Sequence, residues 1–345
     1  MSAGPHRHVR EFPTTSEEPL SPSQPLERLF ATLETLYAGS HSASPGQSHY
    51  SFHINRREYQ SLQEWLARDQ RLEHWYQQKV RFDWEPPVSP DSKGRYILRM
   101  PSLRHECFVG QLTSLIRREL DGLVERRGTP EQVKIADALR NCHDGGSPSL
   151  PLRTLESLKT SNNSQPDTSQ LYGLKAPDAT FFNEYKDALP TLVMEVAYSQ
   201  PEAELKKLAQ QYIIGSKHNI RCVIGINLPY PRRNSKMTAE AQGAQSQETA
   251  TVSIWRPYET RRSDGQKFKS FTCDLEAVPF CSISEDALEL RLSDFLPKPA
   301  SNIFSPNDTV VKIPLSKLRE ALDKAESTPD PSASPALLAS SGTTT

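Results

Sequence analysis

The stretch PDATFFNEYKDALPTLVMEVAY, residues 177–198, decides the fold because it holds two short apolar runs joined by a polar link. Short runs that are rich in β-branched and aromatic residues predict β-strands. Period-two alternation divides the second run into one face with Val193, Glu195 and Ala197 and another with Leu192, Met194, Val196 and Tyr198. A carboxylate therefore lies in the middle of an apolar strand, where a charge needs a partner.

Asp178, in the first run, is the predicted neighbour of Glu195. If the polar link closes a symmetric hairpin with Asn183 opposite Pro190, Asp178 falls directly opposite Glu195, with Cβ atoms about 4.5–5.5 Å apart. Two carboxylates at this distance either raise one pKa or hold a cation, and paired oxygen ligands favour Mg²⁺ or Mn²⁺. The residues leave a second interpretation open, in which Asp178 belongs to a turn and Glu195 faces solvent at a sheet edge.

The segments around this hairpin predict a mixed α/β fold. Ser102 is a good N-cap for a helix over residues 103–126, and apolar spacing predicts further helices over 25–38 and 56–78. Downstream, a polar, helix-prone stretch at 201–216 precedes two more strand-like runs, IRCVIGINL and TVSIWRP. The order helix, strand, strand, helix, strand, strand predicts an α/β sandwich, with a central mixed β-sheet flanked by helices.

Composition separates a folded part from polar segments. Hydrophobic residues make up 36% of the chain and 28 of its 345 residues are Pro, so part of the chain is not expected to pack. We expect disordered tails at 1–25 and 326–345, and a helical N-terminal extension at 26–93. One domain would cover residues 94–300, interrupted by low-complexity insertions at about 141–169 and 229–250.

Charge, cysteine usage and missing motifs exclude several classes of protein. The formal net charge of −1 excludes a globally basic nucleic-acid coat and a strongly acidic binder. The five cysteines are odd in number and form no C-x-x-C pair, which argues against a disulfide framework or a zinc ribbon. Because the chain has no apolar run of membrane-spanning length and no secretory-type N-terminus, we expect a soluble, intracellular protein. Phosphate-loop, dinucleotide-binding, hydrolase-elbow and zincin motifs are absent from the sequence.

Three local motifs resemble those of the PD-(D/E)XK nuclease superfamily. They are MPSLRHECF at 100–108, KAPDATFF at 175–182 and PTLVMEVAYSQ at 190–200, and their order and setting are typical of that superfamily. The chain resembles in particular the Uma-type restriction-endonuclease-like proteins and their fungal relatives. The resemblance covers roughly residues 94–297 and implies a restriction-endonuclease-like fold that acts on DNA or RNA.

The resemblance also implies roles for individual residues. Asp178 and Glu195 would ligate Mg²⁺, with the carbonyl of Val196 as a further ligand. Glu106 would be the acidic residue that the first core helix lends to such a site, although it is equally well interpreted as a solvated first-turn acid that favours the helix dipole. His105 points with the apolar face of that helix and is interpreted as a partly buried structural histidine rather than a catalytic base.

One position departs from the superfamily pattern. The residue two after the Glu is a lysine in that pattern, where it orients or activates the attacking water, and here it is Ala197. In the Uma-like branch a lysine comes from the following helix, which here offers Lys206 and Lys207, with Gln200 just ahead of it. Lys207 is the preferred candidate for the missing charge. Both lysines can also be interpreted as solvated residues paired with nearby acids of the same helix.

Two functional hypotheses follow. In the first, the chain is a nuclease in which Mg²⁺ or Mn²⁺ activates a water and polarises the phosphoryl oxygen, and pairs of arginines form a phosphate-binding rim. In the second, which Ala197 and the long polar insertions motivate, the chain is a catalytically inactive descendant of that fold and serves as a binding or interaction module. Nucleic acid is the expected partner, a membrane is not, and no pattern marks an oligomer interface.

Overall fold

The computed structural model describes residues 23–39, 49–89, 92–155, 172–183, 189–198, 202–228, 249–261, 267–280, 286–297 and 309–328. Its helices are α1 (Gln24–Tyr37), α2 (Arg56–Arg68), α3 (Gln70–Lys79), α4 (Leu103–Glu125), α5 (Pro130–Leu139), α6 (Glu202–Gly215) and α7 (Leu315–Ser327). Its strands are β1 (His49–Ile54), β2 (Arg81–Glu85), β3 (Gly94–Arg99), β4 (Cys142–Gly146), β5 (Leu150–Arg153), β6 (Tyr172–Lys175), β7 (Ala179–Asn183), β8 (Leu192–Tyr198), β9 (Cys222–Leu228), β10 (Thr251–Arg261), β11 (Lys267–Pro279), β12 (Ala287–Arg291) and β13 (Thr309–Pro314). None of the described helices is long and apolar enough to cross a membrane.

A six-stranded sheet carries the hairpin of β7 and β8, and its strand order is β11-β10-β9-β8-β7-β4. The neighbours β8 and β9 are parallel, whereas the other neighbouring pairs are antiparallel. A parallel pair needs a crossover connection, and α6 lies between β8 and β9 in the chain. The predicted mixed α/β class is therefore confirmed.

Helices cover both faces of this sheet because its side chains are apolar on both. Met194 lies on the face that packs against Leu112 of α4, in a core that α7 and the β12–β13 hairpin complete. Val193 lies on the opposite face, which packs against Ala209 of α6. The division of β8 into two faces is confirmed for residues 192–197. Burying a side chain such as Leu112 contributes roughly 1.5–3 kcal/mol to folding, so both layers stabilise the sheet.

A second, five-stranded antiparallel sheet forms the N-terminal part of the protein, in the order β1-β3-β2-β6-β5. Helices α1, α2 and α3 pack on one of its faces around buried residues that include Leu29, Leu62 and Tyr96. The predicted helices over 25–38 and 56–78 are confirmed, and the second one is divided at Asp69, whose side chain caps α3. The expectation of a wholly helical extension at 26–93 is wrong, because β1 and β2 alternate polar and apolar residues and pair with β3.

Other predicted boundaries also change. The insertion predicted at 141–169 begins with β4 and β5, which pair with β7 and β6. Strand β4 was missed because backbone hydrogen bonds can hold an edge strand of polar and glycine residues that lacks an apolar pattern. Strand β5 is only four residues long, and its two buried leucines lie within a Pro-rich and Ser-rich stretch. At the C-terminal end, α7 extends to Ser327, into the predicted tail. The remaining predicted tails and insertions, 1–22, 156–171, 229–248 and 329–345, lie outside the described residues.

Candidate functional site

Asp178 and Glu195 lie next to each other on adjacent strands. Ala179 of β7 is opposite Met194 of β8, so the register predicted from a symmetric hairpin is confirmed. The Asp178 N–H donates to the Met194 carbonyl at 3.1 Å, and the Val196 N–H donates to Asp178 Oδ2 at 2.7 Å. The exposed fraction is 7% for Asp178 and 3% for Glu195, so the interpretation in which Glu195 faces solvent is wrong.

His105, in the first turn of α4, is the side-chain partner of Asp178. Ser102 fixes this turn by accepting the His105 N–H at 3.2 Å, as an N-cap does. The His105 Nε2 atom then lies 3.2 Å from Asp178 Oδ2 and 3.1 Å from the Val196 carbonyl oxygen. Burial disfavours the imidazolium, but the Asp178 carboxylate outweighs burial and raises the pKa of His105 above its ordinary value. Burial alone would also raise the pKa of Asp178, but His105, Arg99 and the Val196 N–H lower it below its ordinary value.

Arg99 and Tyr212 are the partners of Glu195. Arg99 is the last residue of β3, and its Nη1 atom lies 3.1 Å from Glu195 Oε2. The Tyr212 hydroxyl of α6 donates to Glu195 Oε1. Burial, opposed by Arg99 and reinforced by the carboxylates of Asp178 and Asp83, raises the pKa of Glu195 to about 8. Burial therefore favours the protonated form of Glu195.

Asp83 extends this set of contacts to the N-terminal sheet. Its Oδ1 atom accepts from Arg99 Nη2 at 3.2 Å, and the same nitrogen donates to the Ala176 carbonyl. The Lys175 ammonium lies 2.8 Å from Glu85 and 3.4 Å from Asp83. Burial opposes ionisation of Asp83, but Arg99 and Lys175 outweigh burial and hold the pKa of Asp83 below its ordinary value. Asp83 is thus an ionised bridge between two cations.

We call these side chains the charge cluster: Asp83, Glu85, Arg99, His105, Lys175, Asp178, Glu195 and Tyr212. Arg99 and Lys175 give it two positive charges against four carboxylates, and His105 adds a third when it is protonated. Among the four carboxylates Glu195 is the one whose pKa is raised, which reduces the excess of negative charge. Balance matters because an unpaired charge in a protein interior is costly.

Glu106 lies beside the charge cluster and is half exposed. Its Oε1 atom is 3.6 Å from Arg81 Nη2 and 3.9 Å from His105 Nδ1, and its side chain is 47% exposed. Glu106 does not contact Asp178 directly, because His105 lies between them. Its exposed side chain agrees with the interpretation as a solvated first-turn acid.

Lys207 is not brought to the acidic pair. Its side chain is exposed on α6, whereas Tyr212, five residues later, is buried against Glu195. Five residues of α-helix rotate by about 140° beyond a full turn, so the two side chains lie on different sides of α6. Lys206 is also exposed and lies 3.8 Å from Glu276, and Gln200 lies outside the described residues. The preferred helix lysine therefore does not supply the charge missing at Ala197.

Sequence reasoning missed five members of the charge cluster, namely Asp83, Glu85, Arg99, Lys175 and Tyr212. For Asp83 the available signal was the one used for Glu195, a carboxylate between apolar residues in the short strand RFDWE. Arg99 and Lys175 each end a short strand with apolar residues, but their partners come from distant parts of the chain. No local spacing pairs them with the acids that they contact.

The residues present do not fit a divalent metal ion. Three of the four oxygens of Asp178 and Glu195 already face protein donors. Among the described residues, no group of three or more His, Cys, Asp or Glu side chains could hold a metal ion. The positive charge expected at the acidic pair comes instead from Arg99 and His105.

No protein-family model matches this chain, and neither a curated protein nor a solved structure matches it. Its function is therefore inferred from the chemistry of the charge cluster and its surroundings. The cluster holds a buried acidic pair, Asp178 and Glu195, which contacts His105 of α4 and Arg99 of the N-terminal sheet.

Proposed function

We propose that this chain is a nucleic-acid-binding module that does not cleave its ligand, built on a scaffold of the PD-(D/E)XK type. One observation carries the proposal: the Arg99 guanidinium is bound to Glu195, so the acidic pair has a protein cation in place of the expected metal ion. Ala197 adds to this, because it replaces the lysine of the superfamily pattern. The scaffold thus retains the acidic pair without the groups that would make it reactive.

The order of elements supports the choice of scaffold. Helix α4 precedes the strands β4, β7 and β8, and α6 then leads to β9, which is parallel to β8. This agrees with the helix, strand and crossover order that the resemblance implies around the Pro177–Asp178 and Glu195–Val196 motifs. Asp178 and Glu195 also face each other across adjacent strands, as the motifs require.

The state of the acidic pair argues against hydrolysis. Glu195 is 3% exposed and both of its oxygens accept from protein donors, so water and cations have little access to it. Losing one electrostatic donor from an active site typically lowers the rate about 10²–10³-fold, and here the strand lysine is replaced by Ala197. Binding of nucleic acid by the surrounding surface requires neither an ionised Glu195 nor the lysine that Ala197 replaces.

A cleavage and binding assay tests the proposal. The full chain is mixed with fluorescent single- and double-stranded DNA and RNA in Mg²⁺, in Mn²⁺ or in EDTA. A Glu195→Gln variant is purified identically. We expect both proteins to bind nucleic acid and neither to produce metal-dependent fragments. A metal-dependent product made by the wild type and lost in Glu195→Gln would contradict the proposal, and so would the absence of binding to all four ligands.

Metal-dependent phosphodiester hydrolysis by Asp178 and Glu195 is the second candidate, with Mg²⁺ or Mn²⁺ as the cofactor. The observation that favours it is Lys175, a buried ammonium three residues before Asp178 and within the charge cluster. Lys175 could then take the role that Lys207 cannot fill from the far side of α6. This candidate requires Arg99 to leave Glu195, and the assay above distinguishes it from the first.

A further inference from the structure

Helix α3 (Gln70–Lys79) has a buried apolar side and an exposed polar side. Leu72 and Tyr76 are buried in the core of the N-terminal sheet and hold the helix in place. Arg71, His74 and Gln78 are exposed, and their spacing of three and four residues places them together on the other side of the helix. The exposed side of α3 therefore presents a row of polar side chains from a packed element.

Three cations on and beside α3 have no acidic partner. Arg68 ends α2, Arg71 lies in the first turn of α3, and Lys79 ends α3. All three residues are exposed, and none of them forms an ion pair with the described residues. Their positive charges are thus spread from one end of α3 to the other.

The acids of the same region do not neutralise these cations by contact. Asp69 Oδ1 accepts the backbone N–H of Arg71 at 2.9 Å, so this carboxylate serves as the N-cap of α3. Glu73 Oε1 accepts from Gln77 Nε2 at 3.0 Å. Glu64 of α2 forms no ion pair within the part of the chain that the structure describes. The three cations are therefore available to an anionic ligand.

The size and side chains of α3 suit the major groove of B-form DNA. Its 10 residues extend about 15 Å, and an α-helix with its side chains is about 10–12 Å wide. The major groove is about 12 Å wide and admits one α-helix, and arginine and glutamine bind the edges of guanine and adenine there. Cations at the two ends of such a helix lie near the phosphates that border the groove.

Helix α3 and the charge cluster lie on opposite faces of the N-terminal sheet. Phe82 and Leu98 point into the core beneath α3. Asp83 and Arg99, each the next residue of the same strands, point the other way, because side chains alternate along a strand. A ligand bound at α3 is therefore separated from the acidic pair by the sheet, which agrees with binding without cleavage.

We propose that α3 enters the major groove of double-stranded DNA, with Arg71, His74 and Gln78 at the base edges and Arg68 and Lys79 at the phosphates. This inference rests on the proposed function and specifies its ligand class and its binding surface. Double-stranded RNA is then a poor ligand, because the major groove of an A-form helix is too deep and narrow for side chains to read.

A matched pair of single-charge variants tests the inference. Arg71→Gln removes one exposed charge from α3, and Arg126→Gln removes one exposed charge just past the end of α4. Binding of the full chain to fluorescent DNA and RNA duplexes of the same sequence is measured by anisotropy at several salt concentrations. Urea unfolding checks that both variants keep the wild-type midpoint, as expected for exposed residues without ion pairs.

The wild type should bind the DNA duplex about tenfold more tightly than the RNA duplex. For Arg71→Gln we expect the affinity for DNA to fall about tenfold and the slope of log K against log salt to decrease by about one. Arg126→Gln should match the wild type in both quantities.

The outcomes separate this inference from the proposed function. If Arg71→Gln binds DNA like the wild type, if Arg126→Gln weakens binding equally, or if the RNA duplex binds as tightly as the DNA duplex, the inference fails alone. If the wild type binds no nucleic acid, the inference and the proposed function both fail. Selective loss of DNA binding in Arg71→Gln supports both.

Discussion

Replacing Glu195 by Gln should leave the protein folded and remove much of the pH dependence of its stability. The amide of the variant would keep an oxygen that accepts from Arg99 and a group that bonds to the Tyr212 hydroxyl, while carrying no charge. It therefore imitates the protonated form of Glu195. At about pH 6 we expect the free energy of unfolding of the variant to lie within about 1 kcal/mol of the wild type, the usual net contribution of one hydrogen bond.

The size of the pH effect follows from the pKa of Glu195. This pKa is raised to about 8 in the folded chain from an ordinary 4.5, so the folded state holds a proton that the unfolded state loses. The stabilisation is complete below the unfolded pKa and is lost as pH rises through the folded pKa. One unit of pKa corresponds to about 1.4 kcal/mol, so the wild type should lose roughly 3 kcal/mol between about pH 6 and pH 9 through this group. His105, whose pKa is also raised, adds a loss of the same sign in both proteins.

Urea unfolding followed by circular dichroism at about pH 6, 7, 8 and 9 measures the difference between the two proteins. We expect the free energy of unfolding of Glu195→Gln, minus that of the wild type, to increase by roughly 2–3 kcal/mol from about pH 6 to pH 9. Glu125→Gln is the matched control, because Glu125 is an exposed carboxylate at the end of α4, and its free energy of unfolding should follow that of the wild type at each pH. Parallel curves for Glu195→Gln and the wild type would refute the reasoning, since Glu195 would then be ionised in the folded state.

Two further substitutions test the packing around the acidic pair. Arg99→Met should lower the free energy of unfolding by about 3–5 kcal/mol, because it leaves buried carboxylates without their partner, whereas Arg95→Met, at an exposed position of the same strand, should change it by less than about 0.5 kcal/mol. Equal urea midpoints for these two variants would show that Arg99 does not hold the charge cluster together. Gly225→Ala places a Cβ atom of β9 2.5 Å from the ring of Trp255 on the antiparallel neighbour β10, so thermal unfolding should show a loss of about 1–3 kcal/mol, and an unchanged melting temperature would mean that Trp255 is free to shift.

Local patterns predicted the parts of the site that lie close together in the chain. The register of β7 and β8 followed from the link between Asn183 and Pro190, and the alternation in β8 placed Glu195 on the correct face. The first turn of α4 followed from the Ser102 cap, which also places His105 on the buried side of the helix. Each of these features depends on neighbours within a few residues or on one hairpin.

Long-range contacts decided the rest, and no local pattern reports them. Arg99 contacts Glu195 across 96 residues of chain, and Lys175 contacts Asp83 across 92. A lysine on α6 was expected because a helix residue can replace a strand residue, but the face of α6 that meets the sheet presents Tyr212 instead of Lys207. The N-terminal sheet was missed for a similar reason, since β5 and β6 pair with each other across a long segment and β6 then pairs with β2. Because Arg99, from the N-terminal sheet, contacts Glu195, the acidic pair differs from the metal site that the local sequence predicted.

Isothermal titration of Mg²⁺, and separately of Mn²⁺, into the wild type and into Glu195→Gln tests most directly whether the acidic pair still serves as a metal site. Because Arg99 and His105 already contact Glu195 and Asp178, we expect the same small, non-saturating heats from both proteins. A saturable binding isotherm in the wild type that disappears in Glu195→Gln would contradict this, and would make metal-dependent cleavage the better proposal.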